Sequence, residues 1–377
     1  MTSSPLFDAR DFPSLEGKCY LNTAAEGIPP RVVVEAAQDY LRDKLTGMDG
    51  RDAHFSREVQ ARELAGRLLG LDASEIGFCS CSAEAYNLLA SALDLQPEDE
   101  VIISDLDFPS GATPWLAARV RPRVRLWKSR NGALDLADLA PLLSPRTRLV
   151  QVSLVSFYNG WRLPWLPFVE VVRQTVPEAV ISADITQALG RIPGHCEGAD
   201  ILISSTHKWL LGLHGGCVVG IPERSAGRLT TAAGGWYHLS SAFGPDRFES
   251  TVPKPGAASF SVGMPSFAPI YALHAGLAYL LERDVKAIAD YADPLAHSAD
   301  EELRLRGIVP LAPRDASCGS GIVAFRHERG EEIQAALRRE NIHIMHQAGR
   351  LRLSFHGYNT PDDVRRFFEA LDHSLQR

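Results

Sequence analysis

Several things are scarce or missing in this chain, and each absence excludes something. Basic residues are the minority, 39 against 46 acidic ones for a formal net charge of −7. No stretch concentrates lysine or arginine on one helix face, which argues against a nucleic-acid binder. No apolar run reaches the length needed to cross a bilayer. The opening, MTSSPLFDARDFPSLEGKCYLN, lacks a basic segment followed by an apolar core, so no signal peptide is expected. The 6 cysteines (Cys19, Cys79, Cys81, Cys196, Cys217, Cys318) contain no C-x-x-C pair. In a chain of 377 residues they read as reduced thiols of a cytoplasmic enzyme, not as a disulfide framework. The C-S-C run at 79–81 has one intervening residue and no partner set, so no metal site is expected. There is no G-x-G-x-x-G turn after the first strand and no G-x-x-x-x-G-K-[ST] stretch, which sets aside a nucleotide-binding α/β protein.

What is present suits a large globular enzyme. At 45% hydrophobic residues the chain can bury one large core and a smaller second one. The middle alternates short β-branched runs (EVIISD, RVRLWKS, RLVQVSLVS, AVISAD, ADILISS, GCVVGIP) with helical ones such as AEAYNLLASAL and LPFVEVVRQTV. That alternation predicts an α/β domain with a mainly parallel sheet covered on both faces, over 45–265. MPSFAPIYALHAGLAYLLERDV then reads as one long helix. GIVAFRH, IHIMHQ and RLRLSF follow as strands, with EEIQAALRRE and PDDVRRFFEAL as helices. These belong to a smaller α+β unit of residues 266–377, joined by 1–44 with its helix PRVVVEAAQDYLRDKL.

In open α/β sheets, ligands sit beyond the carboxyl ends of the strands. Asp184 ends AVISAD, and Gln187 follows it. Ser205, His207 and Lys208 follow ADILIS. Ser82 precedes a helix, Phe108 follows VIISD, and Asn159 follows LVSF. Taken singly, each has an ordinary reading: an N-cap, a turn residue, a solvated lysine. Together they meet the demands of pyridoxal 5′-phosphate (PLP). That cofactor needs a lysine amine for its aldehyde, an acid to keep its pyridine nitrogen protonated and a donor for its phenolate oxygen. It also needs a flat or apolar cover for its ring and backbone amides at a helix N-terminus for its phosphate.

ADITQALGRIP followed by SSTHKWLLGLHGG resembles the signature of the class V aminotransferase family. This group of fold type I PLP enzymes includes cysteine desulfurases, C–S lyases and isopenicillin N epimerase-like proteins. YLNTAAEGIPP, CSCSAEAYNLLA, DLDFPSGATPW, VSFYNGWRLP, SVGMPSF and GRLRLSFHGYNT extend the resemblance, in order, over nearly the whole chain. It implies that Lys208 bonds the cofactor and then moves the substrate's Cα proton. Asp184 pairs with the ring nitrogen, and Gln187 donates to the phenolate oxygen. Ser82, Ala83, Ser205 and His207 hold the phosphate. Gly263 and Met264 reach that phosphate from a second subunit, so a homodimer is expected. Many family members carry a hydroxyl residue where Met264 stands, which leaves only its backbone amide to serve. Phe108 covers the ring, where desulfurases use histidines. Arg352 clamps the carboxylate of an amino-acid substrate, with Asn159 beside it.

The reaction is less constrained. A cysteine desulfurase needs a mobile cysteine on a loop before the arginine-bearing strand, and NIHIMHQAGRLRLS runs straight through without one. Cys318, in ASCGSG, is the only glycine-flanked substitute. β-Elimination, transamination and epimerisation remain open, with lyase-type chemistry favoured. His346, Tyr158, His54 and Tyr237 are candidate acids or second bases, each with packing as the ordinary alternative. GGWYHLSSAF, with Trp236 and Tyr237, is expected to line the substrate channel. A PLP-fold scaffold that has become an inactive binding module is the reading of another class. Lys208, Asp184, Gln187 and His207 all argue against it.

Overall fold

The computed structural model describes residues 4–193, 196–313 and 319–376. The chain opens with β1 (Cys19–Tyr20), α1 (Arg31–Leu45) and α2 (Arg51–Leu69). There follow β2 (Ile76–Cys79), α3 (Ser82–Leu93), β3 (Glu100–Ser104), α4 (Pro109–Ala117), β4 (Arg123–Trp127) and the short α5 (Leu136–Leu139). Next come β5 (Thr147–Ser153), α6 (Trp165–Thr175), β6 (Val180–Asp184), β7 (Ile201–Ser205), β8 (Cys217–Gly220) and α7 (Glu223–Ala226). The last part holds α8 (Phe267–Arg283), α9 (Val285–Leu305), β9 (Ile322–Arg326), α10 (Gly330–Arg339), β10 (Ile342–His343), β11 (Met345–Gln347), β12 (Arg350–Ser354) and α11 (Pro361–Leu375).

Among the described residues the large sheet has 7 strands in the order β2-β8-β7-β6-β5-β3-β4. Neighbours from β4 to β7 pair in parallel, and only β8 runs against the rest. The mainly parallel α/β sheet read from the sequence is therefore present. Its inner strands β3, β6 and β7 are buried at every position, as apolar runs covered on both faces must be. All the parallel strands end on one edge, which brings the residues after β2, β3, β5, β6 and β7 together. The smaller unit holds the antiparallel sheet β11-β12-β9 and the parallel pair β1-β10.

The long helix α8 behaves differently from the sequence expectation, which grouped it with the small unit. Its Ile270, Leu273, Leu277 and Leu280 belong to the core of the large sheet, and α1 lies along it. The small unit's core draws on Cys19 and Leu21 and on residues from Leu295 onward. A helix that is apolar nearly all round must be covered on every side, and α8 achieves this between the sheet domain and α1 and α2. Two long helices escaped the sequence reading. α2 buries polar and small residues (His54, Glu58, Ala61, Ala65, Gly66) beside Leu69 and α9 carries Pro294 inside it, so neither shows an uninterrupted apolar stripe.

Helix α8 also bears on the loop that carries Lys208. A Cβ at Gly276 would lie 2.5 Å from the Leu210 carbonyl oxygen, a backbone atom that cannot rotate away. Gly276→Ala is expected to destabilise the fold by about 1–3 kcal/mol, the usual cost of overpacking a filled interface. A lower denaturant midpoint at unchanged slope would check this. A midpoint equal to wild type would show that α8 yields.

Candidate active site

The segment after β7 folds back on itself around Thr206. Its Oγ1 donates to the carbonyls of Leu213 (2.7 Å) and Gly216 (3.0 Å), while Gly212 N–H donates to Thr206 O (3.0 Å). Leu211 adopts a positive φ of 57° to close the turn on Lys208 O. Gly27 seals the turn from the N-terminal side. Its N–H donates to His207 O at 2.8 Å, and a Cβ there would fall 1.9 Å from Lys208 O. The Lys208 ammonium group faces inward and lies 5.3 Å from the centre of the Phe108 ring. Burial pushes its pKa down to about 8; Asp184 opposes this, Arg352 adds to it and Glu26 opposes it. A buried amine is most easily carried uncharged.

Asp184 ends β6 and is 6% exposed. Its Oδ1 accepts from Thr186 N at 2.9 Å. Tyr86, on α3, lies against it: burial, and then the Asp184 carboxylate, push the phenol far up, so it remains a donor. Gln187 is held at both ends of its amide. Trp209 Nε1 donates to its Oε1 (2.7 Å), and its Nε2 donates to Ala24 O (3.0 Å). An indole can only donate, so this contact fixes which end is oxygen and leaves one amide hydrogen of Gln187 free.

On the opposite side, α3 begins at Ser82 without a side-chain cap on its first N–H groups. Ser82 is half-buried and Ala83 is exposed at this end. Ser205 ends β7 and is buried, its N–H donating to Thr186 Oγ1 at 3.2 Å. His207 is half-buried and stacks on His214 with ring centres 4.1 Å apart. Burial first, then the charges of Lys208 and His214, push its pKa down to about 4, so the ring is neutral at ordinary pH. His214 in turn meets Glu26 at 3.2 Å. Gly263 and Met264 line a cleft of this same chain with Ser80, Glu84 and Gly216, and Met264 is exposed there.

The third side is built by the loop after β5. Asp107 accepts from Ser104 N (2.8 Å) and Ser153 N (2.6 Å), tying the ends of β3 and β5. That junction sets Phe108, whose ring meets Phe157 edge-on at 4.9 Å. Arg352, on β12, is 3% exposed and donates Nη1 to Phe157 O at 2.7 Å. Its Nε has no partner, and no carboxylate among the described residues pairs with it. Burial, and then Arg350, push it down to about 9. A structural ion pair, the ordinary reading of such an arginine, is thus missing.

Other candidates lie elsewhere. Asn159, expected at the substrate, spends its amide on the loop: Nδ2 donates to Gly132 O (2.7 Å) and Leu311 O (3.3 Å), and Oδ1 accepts from Trp161 N (3.1 Å). In the structure it anchors the loop, in contrast to the sequence expectation. His54 packs on Phe267 and meets Tyr271 at 3.1 Å, between helices. Tyr237 donates to Glu58 (2.9 Å). His346 pairs across the strands with Leu351, which faces the small core, so it points away from Arg352. Tyr158 accepts from Arg326 at 2.6 Å. Cys318 lies outside the described residues. Sequence reasoning missed Tyr86, Trp209, Thr186, Glu26, His214 and Phe157. The i, i+4 spacing of Ser82 and Tyr86 on one helix was the only available hint for any of them.

A buried amine without a fixed partner, an uncapped helix start, an acid at the next strand end and an orphaned guanidinium fit a phosphorylated pyridine aldehyde bound together with a carboxylate. The fold and this arrangement are those of a fold type I PLP-dependent enzyme, and its cofactor is PLP. The chain belongs to the class V aminotransferase family, whose family model (Aminotransferase class-V) matches residues 19–367. It is 26% identical over 363 residues to an uncharacterized aminotransferase, YcbU, of Bacillus subtilis, covering 96% of this chain and 95% of that one. It is likewise 26% identical over 400 residues to a probable cysteine desulfurase of Pseudomonas putida, covering 97% of each. Among solved structures it resembles C-DES. One C-DES structure carries glycine covalently linked to the PLP cofactor (TM-score 0.88, 22% identity, 97% of this chain and 99% of that one). Another, named a cystine C–S lyase, is in complex with its product cysteine persulfide (TM-score 0.86, 21% identity, 96% and 99%).

The lowered pKa of Lys208 has a direct consequence. Only the neutral amine attacks an aldehyde, and its fraction rises with pH up to the pKa. With cofactor-free protein, the rate of yellow adduct formation with PLP should climb about tenfold per unit between pH 6 and 7 and level off above about 8. Stopped-flow absorbance would measure it. A rate that keeps climbing past pH 9 would mean an ordinary lysine, and unchanged adduct in Lys208→Ala would mean another anchor.

Proposed function

We propose that this enzyme carries out β-elimination on an amino acid bearing a leaving group at Cβ, in the manner of a C–S lyase. The observation that carries this reading is the connection between β11 and β12. Gln347 pairs directly with Arg350, and Ala348 and Gly349 turn with φ of 51° and 73°, a two-residue hairpin. Nothing is inserted there that could deliver a cysteine to the substrate. Of the described cysteines, Cys19, Cys79, Cys196 and Cys217 are buried, and Cys81 is exposed at the start of α3. A route that passes sulfur to a protein thiol therefore lacks one on this hairpin, whereas elimination needs none. The name cystine C–S lyase borne by C-DES agrees with it.

In this reading Arg352 receives the substrate carboxylate with the donors that Phe157 leaves free, a geometry that suits a guanidinium fork. Lys208 takes the Cα proton on Nζ. PLP supplies the aldehyde that holds the amino group and a ring that draws electron density from Cα. Asp184, itself steadied by Thr186 N–H and Tyr86, keeps the proton on the ring nitrogen. Gln187 offers its spare amide hydrogen to the phenolate oxygen, and Phe108 covers the ring face. Ser82, Ala83 and Ser205 hold the phosphate by N–H and hydroxyl groups, with neutral His207 as one more donor. The Cβ–S pair leaves on sulfur, and with one water the products are pyruvate, ammonia and a thiol.

We further propose a homodimer in the cytoplasm. Trp236, Phe243, Phe248, Val252 and Met264 are exposed apolar side chains of one segment, whose Met264 end lines a cleft with Ser80 and Glu84, and a second copy would cover them. Free thiols throughout the described chain suit a reducing compartment.

Purified protein given S-alkyl cysteines without any keto acid should release pyruvate, ammonia and thiol in equal amounts. A cofactor left in its amine form until a keto acid is added would instead mean transamination. Arg352→Gln should cut kcat/KM at least about thirtyfold, because a buried charge-assisted contact is lost. A change below twofold would remove the clamp. Sedimentation should give a dimer, and an active monomer would overturn that part.

A further inference from the structure

Strand β12 carries a second arginine that the reading above does not use. Arg350 and Arg352 are two residues apart, so both project from the same face. They are 2% and 3% exposed. The same loop holds both: Arg352 Nη1 donates to Phe157 O at 2.7 Å and Arg350 Nη1 to Tyr158 O at 2.5 Å. Arg350 Nη2 also donates to Gln347 Oε1 at 3.3 Å. Its guanidinium lies 4.4 Å from the centre of the Tyr158 ring and 5.4 Å from that of Phe157. Like that of Arg352, its Nε is buried without a partner. A third arginine, Arg326, stands opposite Arg350 on β9 and donates to Tyr158 Oη at 2.6 Å.

No carboxylate neutralises any of these three among the described residues. Other arginines with sheltered side chains in the same chain are paired: Arg191 with Asp293 (2.7 Å), Arg62 with Glu58 (2.6 Å) and Arg173 with Asp200 (2.6 Å). Arg350 and Arg352, buried like charges each held by a neutral carbonyl, form an arrangement that an arriving anion would relieve, whereas Arg326 is exposed. One amino-acid carboxylate can occupy Arg352, and it leaves Arg350 unmatched.

We propose that the substrate carries two carboxylates, with the α-carboxylate on Arg352 and a side-chain carboxylate on Arg350, and with Arg326 adding charge from β9. This rests on Arg352 being the clamp. Side chains two positions apart on a strand leave it about 7 Å apart. That spacing fits two carboxylates separated by about four chain atoms, as in an S-carboxymethyl cysteine. The Tyr158 and Phe157 rings lie against the Arg350 end of that span.

Binding of unreactive probes to the PLP-loaded enzyme, followed by calorimetry, separates the possibilities. Adipate has two carboxylates across four carbons, and hexanoate has one on a chain of the same length. Adipate should bind at least about tenfold tighter, the gain from one added charge-assisted contact. Arg350→Met should bring the two within about twofold, and Arg350→Lys should keep part of the preference. Arg352→Gln should weaken both probes. Adipate binding no tighter than hexanoate to wild type, or an unchanged preference in Arg350→Met, would overturn the proposal while leaving the clamp in place. Hexanoate binding that ignores Arg352→Gln would instead overturn the clamp. If Arg350→Met fails to fold, kcat/KM for S-carboxymethyl cysteine against S-ethyl cysteine in wild type decides. A ratio below one rejects the second carboxylate site.

Discussion

The backbone of residues 207–210 is the part on which the rest of the site depends. It holds a lysine amine in a sheltered position, and it does so by close contact, not by an ion pair. Gly27 presses against the Lys208 carbonyl and Gly276 against that of Leu210, each at a distance that no Cβ would permit. Thr206 ties the turn's own carbonyls together. Trp209, one residue beyond the lysine, is buried and donates to Gln187. One turn therefore fixes both the amine and the amide that serves the far side of the same ligand. Moving the turn would misplace the two together, and enzymes are sensitive to misplacement of even about an ångström.

How much of this could be read from the sequence depends on whether a residue's role is local. Asp184, Gln187, His207 and Lys208 stand at strand ends, and strand ends were legible from short β-branched runs. The long helix α8 was legible as a helix, but not its allegiance, because an apolar helix gives no hint of which core receives it. Asn159 looked like a site residue because a polar side chain after a strand has the same appearance whether it serves a ligand or a loop. Only the distances to Gly132, Leu311 and Trp161 separate the two uses. Tyr86 was invisible for the converse reason: it sits mid-helix, and its contact with Asp184 crosses between elements. Arg350 was not singled out in the sequence, because ion pairing is a property of three-dimensional neighbours.

The electrostatics of the site run against those of the whole chain. The protein is acidic overall, at −7, yet the loop after β5 gathers Arg326, Arg350 and Arg352, and Lys208 lies nearby. At Lys208 the charges of Asp184 and Glu26 oppose that of Arg352. A local positive field inside an acidic protein concentrates anionic ligands at one place instead of over the surface. It also explains the state of His207. Burial and the neighbouring charges push that ring down to about 4 when no anion is beside it. The uncapped N–H groups of α3 add a positive dipole end that does not titrate. Lys208, with its pKa lowered to about 8, changes its charge near neutral pH. That suits the chemistry at Cα, which requires the neutral and charged forms of the lysine in turn.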